Sequence, residues 1–348
     1  MRVAIVNTQV LFVRGGAEYL AETLAHQIRE MGHEAEIINI PFRWYPAEMI
    51  PRHMLAARLL KIDAGITPDL MIGLKFPSYL VPFPNKKLWL LHQHRQAYEL
   101  WDTPYADIPD TPEGRAIRQM IIKADNLYLS EATEIYTNSK IVAGRLERFN
   151  GISAKAVLYP PLLQPEIYHA GEFGNYFFYP SRMTSGKRQE LAIQAMRYVK
   201  SNFKLVLAGK PDGETYGKHL NSLIERYRLQ DRVVMLGYIS DEEKARWMAG
   251  ACAALYIPFD EDSYGYVTLE AFHSYKPVIT LTDSGGTDEV IEHEWNGLIL
   301  QPEAKALAEG MEKLWSDRKR TQEMGEAAYQ TLSKHHIRWE NVLDNLLS

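Results

Sequence analysis

Two stretches in the second half of the chain bring together residue types that can do chemistry. Residues 181–187 read Ser-Arg-Met-Thr-Ser-Gly-Lys, after a strand-like apolar run and before a helical one. That order sets two cations, Arg182 and Lys187, beside a glycine turn at Gly186 and a helix N-terminus. Unpaired amides, the positive end of the helix dipole and two charged donors together suit a diphosphate. The ordinary alternative is a solvated loop with two surface cations. Residues 259–270 read Phe-Asp-Glu-Asp-Ser-Tyr-Gly-Tyr-Val-Thr-Leu-Glu and again follow a strand and open a helix. Asp262 then lies in the loop, the amides from Gly265 to Thr268 at the positive helix end, and Glu270 about a turn further in, on a face that can look back to the mouth. One carboxylate can reach a sugar hydroxyl and the other a ribose. The ordinary alternative is a set of acidic residues that favour a helix start.

Loops of this kind need strands and helices to hold them. Strand-like runs at 176–179, 204–208, 233–236, 253–257 and 277–281 alternate with helical spacing at 189–199, 220–228, 241–249 and 267–274. The alternation predicts a parallel sheet with right-handed crossovers, a Rossmann-like unit. The first forty residues read the same way: an apolar run at 3–6, Gly15-Gly16, helical spacing through Leu20, Leu24 and Ile28, a stop at Gly32, and a strand at 35–40. Runs at 88–91, 135–137 and 156–158 are candidates for later strands of that sheet, 41–84 is proline-punctuated and stays unassigned, and 325–348 reads as a long helical tail. Pro160, Pro161, Pro165, Gly171 and Gly174 give the composition of a linker. The expectation is an α/β chain with a first domain over 1–165, a second over 166–330, and a C-terminal helix over 331–348 packing back toward the first domain. Two such sheets placed with their carboxyl ends opposite each other predict an active site in the interdomain cleft.

Taken in order, the motifs resemble glycosyltransferase family 4 (glycosyl transferases group 1), retaining enzymes of GT-B fold with two facing Rossmann-like domains. The resemblance rests on Arg182 and Lys187 at their spacing, then Asp262 and Glu270 around Ser263-Tyr264-Gly265-Tyr266-Val267-Thr268, then Pro277-Val278-Ile279, Gly285-Gly286 and Asn296-Gly297-Leu298. Sparser points agree: Asn138-Ser139-Lys140, Tyr159-Pro160-Pro161, residues 205–209 and residues 236–240.

The resemblance implies a nucleotide-diphosphate sugar donor bound by the second domain, 166–330, and a hydroxyl of a glycan or lipid-linked acceptor bound by the first, 1–165, in polysaccharide or glycoconjugate biosynthesis, with a hexose-type sugar transferred. It implies that Arg182 and Lys187 hold the diphosphate, that Glu270 holds the ribose hydroxyls, and that Gly15 and Gly16 let the first loop approach the phosphates. Backbone near Gly237 and Tyr238 would meet the base, and His92, at the end of a strand, matches the family histidine near the donor sugar. Its ordinary alternative is a packed strand-end histidine. One departure matters. The first acidic position of the family's paired-glutamate motif is Asp262 here, with Glu261 beside it, and aspartate is one methylene shorter. With cations and helix-end amides aimed at a diphosphate that gains charge as the anomeric bond breaks, no metal or other cofactor is required.

Composition bounds the alternatives. At 348 residues the chain is long enough for two cores, and a net charge of -5 without a basic run gives no surface for nucleic acid. Cys252 stands alone in an apolar run, so a disulfide framework or cysteine zinc site is excluded and a buried, inert thiol is expected. No apolar stretch reaches the roughly 18 residues of a spanning helix, and a cytoplasmic location is expected. Residues 42–62 mix aromatics and aliphatics with Arg43, Arg52, Arg58 and Lys61, a composition that can sit on an anionic membrane face or pack inside the first domain. Three rivals are weaker. A metal-binding Asp260-x-Asp262 would leave Arg182 and Lys187 without a role. A nicotinamide enzyme lacks Gly-x-Gly-x-x-Gly after either first strand. A non-catalytic sugar-nucleotide binder is kept open by the Asp262 departure.

Overall fold

A computed structural model describes residues 1–13, 15–63, 65–103, 105–261 and 263–348. The chain divides into two compact units, Met1–Pro160 with Arg338–Ser348, and Pro161–Ile337. The first unit runs β1 (Arg2–Gln9), α1 (Gly16–Glu30), β2 (Glu34–Pro41), α2 (Met49–Leu59), β3 (Leu70–Lys75), β4 (Lys86–His92), α3 (Pro112–Tyr128), β5 (Glu134–Thr137), α4 (Lys140–Asn150) and β6 (Ala156–Val157). Its strands pair in parallel in the order β2-β1-β3-β4-β5-β6. The burial of β1 along six consecutive residues is the mark of a parallel strand covered on both faces. One face is covered by α1, whose Leu20, Leu24 and Ile28 share a core with Trp89 and Tyr136. On the other face Ile50 and Met54 of α2, Ile117 and Ile121 of α3, and Val142 and Leu146 of α4 share a core with Met71 and Leu88.

The second unit runs β7 (Tyr176–Pro180), α5 (Gln189–Ala195), β8 (Lys204–Ala208), α6 (Glu214–Arg226), β9 (Val233–Met235), α7 (Asp241–Ala249), β10 (Ala253–Leu255), α8 (Tyr266–His273), β11 (Val278–Leu281), β12 (Gly297–Leu300), α9 (Ala304–Ser316) and α10 (Arg318–Lys334). These strands also pair in parallel, in the order β12-β11-β10-β7-β8-β9. Within the unit this is the doubly wound Rossmann order, and the direction of winding reverses between β7 and β10. In the first sheet the reversal falls between β1 and β3.

The structure corrects the tail: it is not one helix from 325 to 348. α10 ends at Lys334, and α11 (Trp339–Leu346) begins after a break and belongs to the first unit. His336 takes a left-handed φ of 51°, and the amides of His336 and Ile337 turn back to the carbonyls of Ser333 and Leu332, a Schellman closure made without glycine. Beyond it Trp339, Val342, Leu343 and Leu346 are buried against the α1 face of the first sheet. The unassigned stretch 41–84 contains α2 and β3, and Cys252 is a free buried thiol.

Candidate functional site

Ligands of doubly wound sheets bind beyond the carboxyl ends of the strands where the winding reverses. In the second unit that point is flanked by the loops leaving β7 and β10, which are residues 181–187 and 256–265. The two stretches singled out by residue type therefore meet at one topological position.

Their contacts are direct. Lys187 Nζ pairs with Glu261 Oε2 and donates to the hydroxyl of Tyr256 at 2.8 Å, and its ammonium lies over the Tyr256 ring. Thr184 caps the short turn before it by accepting from the Lys187 amide. Arg188, next in sequence and left-handed at φ 55°, turns inward instead. It grips both oxygens of Asp283 at 2.8 Å and donates to the carbonyls of Ile257 and Pro258, locking the β10 and β11 loops together. Gly285 completes the lock. Its φ of 65° suits glycine, and a Cβ there would run into the backbone of Glu261, whose carbonyl accepts from the Gly286 amide at 2.9 Å.

Arg182 is exposed on the loop after β7. The neighbouring loops are tied to that one by the Ser181 amide to Ala208 and the Gly209 amide to Gly237, so Arg182, Gly209 and Gly237 sit along one rim. Tyr238, beyond Gly237, is 82% exposed, with its ring available to a planar ligand. Gly265 caps α8 with φ 70°, and Ser263, Tyr264, Tyr266, Val267 and Thr268 form the turn and first residues of that helix. Asp262 lies outside the described residues.

Glu270 is buried on α8. Its Oε1 accepts from Lys244 Nζ at 2.7 Å, while Oε2 has no hydrogen-bond partner. Lys244 comes from α7, whose start is fixed by a reciprocal cap between Ser240 and Glu243. Although burial opposes its charge, the adjacent Glu270, with Tyr168 and Asp241, holds the Lys244 ammonium well above the ordinary lysine range. Burial, and then Glu270, raise the Tyr168 phenol. A carboxylate fixed on one side with a free acceptor on the other is suited to hydroxyl donors.

In the first unit, Gly15 and Gly16 lie at the start of α1, after β1, and His92 closes β4. The Gly15 amide donates to Glu18 at 2.9 Å, and Glu18 pairs with Lys75 of β3 at 3.0 Å. Burial alone would raise the Glu18 carboxyl, but Lys75 and the Gly15 amide win and lower it. Lys75 and His92 line one cavity. Lys244, Arg188 and Tyr256 were missed in the sequence. The cap Ser240-x-x-Glu243 was the available signal for the start of α7, but the pairing of Lys244 with a residue 26 positions away was not legible.

Among the described residues no group of three or more His, Cys, Asp and Glu side chains could hold a metal ion, and no helix is long and apolar enough to cross a membrane.

Residues 164–331 match the family model "Glycosyl transferases group 1". That segment is a glycosyl transferases group 1 domain. Among curated proteins the chain is similar to an uncharacterized glycosyltransferase of Methanocaldococcus jannaschii, 32% identical over 139 residues, 39% of this chain and 34% of that one. It is also similar to alpha-1,3/1,6-mannosyltransferase ALG2 of Mus musculus, 32% identical over 103 residues, 30% of this chain and 24% of that one. The aligned stretches span less than half the length of these relatives. Among solved structures it is similar to HepE of Anabaena in complex with UDP and glucose, with TM-score 0.73, 17% identity and 99% of each chain covered. Sucrose-phosphate synthase of Thermosynechococcus elongatus gives TM-score 0.78 and 16% identity, with 99% of this chain and 96% of that one covered. This likeness establishes the fold class, an α/β GT-B chain of two Rossmann-like units.

Proposed function

We propose that the protein is a retaining glycosyltransferase that moves a hexose-type sugar from a nucleotide diphosphate to a hydroxyl of a glycan or lipid-linked acceptor. The observation that carries this reading is the convergence of the 181–187 and 256–265 loops at the winding reversal of the second sheet, with Glu270 holding an unused buried oxygen on the helix that follows. The solved neighbour with UDP and glucose and the mannosyltransferase relative support a nucleotide-bound hexose.

In this reading Arg182, Lys187 and the α8 amides near Gly265 take the diphosphate, Glu270 Oε2 accepts from a ribose hydroxyl, and the Gly237-Tyr238 turn meets the base. Asp262 orients the sugar. Breaking the anomeric C–O bond moves negative charge onto the diphosphate, and fixed cations there stabilise that charge more in the transition state than in the ground state. The departing phosphate oxygen accepts the proton of the acceptor hydroxyl, which attacks from the same side. The charge is met by side chains and amides, so the proposal needs no metal.

Thermal-shift measurements with UDP, GDP, ADP and their hexose conjugates, followed by donor turnover with and without EDTA, test the proposal. A bound donor raises stability as RT ln(1 + [L]/Kd). Stabilisation by one nucleotide family and EDTA-resistant turnover are expected. No response to any nucleotide removes the reading, and turnover that needs manganese removes the metal-free part.

A further inference from the structure

Lys187, one of the two cations after β7, has a counter-ion within its own chain. Its ammonium meets Glu261 Oε2, donates to the Tyr256 hydroxyl at 2.8 Å and lies over the Tyr256 ring. An ammonium offers three donors and one positive charge. Glu261 takes one donor, Tyr256 takes a second, and the charge is matched. A diphosphate that approaches Lys187 therefore meets a neutral pair, not a free cation.

Main-chain bonds fix both stems of the pair, so only side-chain rotation can part it. The Lys187 amide is held by Thr184, and its carbonyl accepts from the Tyr179 hydroxyl. The Glu261 amide donates to the Ser284 carbonyl at 3.1 Å, and its own carbonyl accepts from the Gly286 amide at 2.9 Å. The Glu261 side chain is 27% exposed, which gives its carboxylate a path into solvent. The Tyr256 hydroxyl, 3.2 Å from the same carboxylate oxygen, can retain it at the edge of the site. Partly exposed ion pairs are weakly held, so exchange of this carboxylate for a diphosphate needs no change of fold.

The two nucleotide forms of the proposed reaction differ in charge. The departing nucleoside diphosphate ends in a phosphate whose second ionisation falls at about pH 6, so at neutral pH it is more anionic than the sugar-bound donor. A bare lysine would hold the product harder than the substrate. Tight binding of that kind slows release without helping the chemical step. We infer that Glu261 sets the affinity of this site: its carboxylate competes with the diphosphate for Lys187, weakens the hold on the nucleoside diphosphate and speeds its release. The inference rests on the glycosyltransferase reading for the diphosphate at Lys187, whereas competition for Lys187 can also be measured with inorganic pyrophosphate.

Calorimetry on the full chain tests it, with UDP, GDP, ADP, the matching nucleosides and inorganic pyrophosphate as probes. The proteins are wild type, Glu261→Gln, Glu261→Ala, Lys187→Met and the double variant Lys187→Met/Glu261→Gln. The nucleoside diphosphate that binds should bind about fivefold more tightly in Glu261→Gln, and at least as tightly as that in Glu261→Ala, the scale of one released ion pair. Its nucleoside should bind as before. In the Lys187→Met background the gain should disappear, a coupling that a purely structural Glu261 would not show. Unchanged or weaker diphosphate binding in Glu261→Ala, or a gain of equal size without Lys187, overturns the inference and leaves the donor site standing. Pyrophosphate binding that gains fivefold, in a protein that ignores every nucleotide, keeps the competition and removes the transferase reading instead. No binding of any probe to any of the five proteins removes both.

Discussion

Lys244 closes on one oxygen of Glu270 and leaves the other buried with no partner. The ion pair orients the carboxylate, and the free oxygen is the acceptor a donor hydroxyl would use. Glu270→Gln keeps the shape and removes the charge; it should lower donor affinity by about 2–3 kcal/mol, the scale of a hydrogen bond to a charged group. Lys244→Met leaves Glu270 buried and unpaired, which should destabilise the chain by about 3 kcal/mol, the lower end for a broken buried pair because Lys244 keeps 21% of its side chain exposed. Urea unfolding and nucleotide titration separate the two. Wild-type affinity in Glu270→Gln removes Glu270 from the donor site.

The pairing of Lys187 with Glu261 bears on the departure at Asp262. With Glu261 committed to Lys187 and beside Tyr256, Asp262 is the carboxylate expected to orient the sugar. Asp262→Asn should reduce turnover by about a hundredfold or more, the scale seen when one transition-state contact is removed. Lys187→Ala should weaken nucleotide diphosphate more than nucleoside binding. Near-normal turnover in Asp262→Asn with a large loss in Glu261→Gln reverses the assignment.

How much of this was legible in the sequence depends on range. Arg182, Lys187 and Glu270 stand in local strand-loop-helix patterns, so the placement of the two cations after a strand and of Glu270 on the helix after the next such loop could be read from neighbours within a few residues. The same holds for the caps of α4 and α7. The order β12-β11-β10-β7-β8-β9, which makes the 181–187 and 256–265 loops neighbours, depends on contacts far apart in sequence and leaves no local mark. Nothing local in the sequence marks Arg188 apart from Lys187; its left-handed backbone and its bonds to Asp283 appear only in the fold. The left-handed break at His336 was hidden for the same reason, since the conformation is usually signalled by glycine.

Asp125 gives a pH prediction in the first unit. Its carboxylate is fully buried and accepts from the hydroxyls of Tyr79 at 2.9 Å and Tyr98 at 2.7 Å. Burial raises it to about 7, and the two hydroxyls offset only part of that. A folded value above the unfolded one means that the folded state holds the proton more tightly. The stabilisation is therefore complete below about pH 4 and is lost as the pH climbs to about 7. Thermal midpoints of wild type relative to Asp125→Asn should fall between about pH 4 and 7. A constant difference across that window shows that Asp125 does not titrate there.

The last prediction concerns membrane contact through 42–62. Most of the segment is already engaged. Ile50, Met54 and Ala57 are buried, Phe42, Trp44, Leu60 and Ile62 pack on the same core, and Arg58 grips Glu131 at 2.7 Å with both nitrogens while lying over the Tyr128 ring. Arg58→Glu would break that pair and disturb the fold, so it is a poor probe of a surface. Exposed on α2 and its flanks are Tyr45, 59% exposed, Leu55, 59% exposed, and Leu59, 71% exposed, with the cations Arg43, Arg52 and Lys61 and the anion Glu48. Each cation near an anionic bilayer contributes only about 1 kcal/mol and is screened beyond a Debye length of about 8 Å in physiological salt. The proposed contact is thus weak and salt-sensitive, and it draws on Leu55 and Leu59 of α2 together with Tyr45 ahead of it. Co-sedimentation should exceed the neutral-lipid level only with anionic vesicles at low salt, and Arg52→Glu and Leu55→Glu/Leu59→Glu should each return it to that level. Equal sedimentation of wild type and both variants, or none with any vesicle, removes the contact and leaves 42–62 as core and ordinary surface.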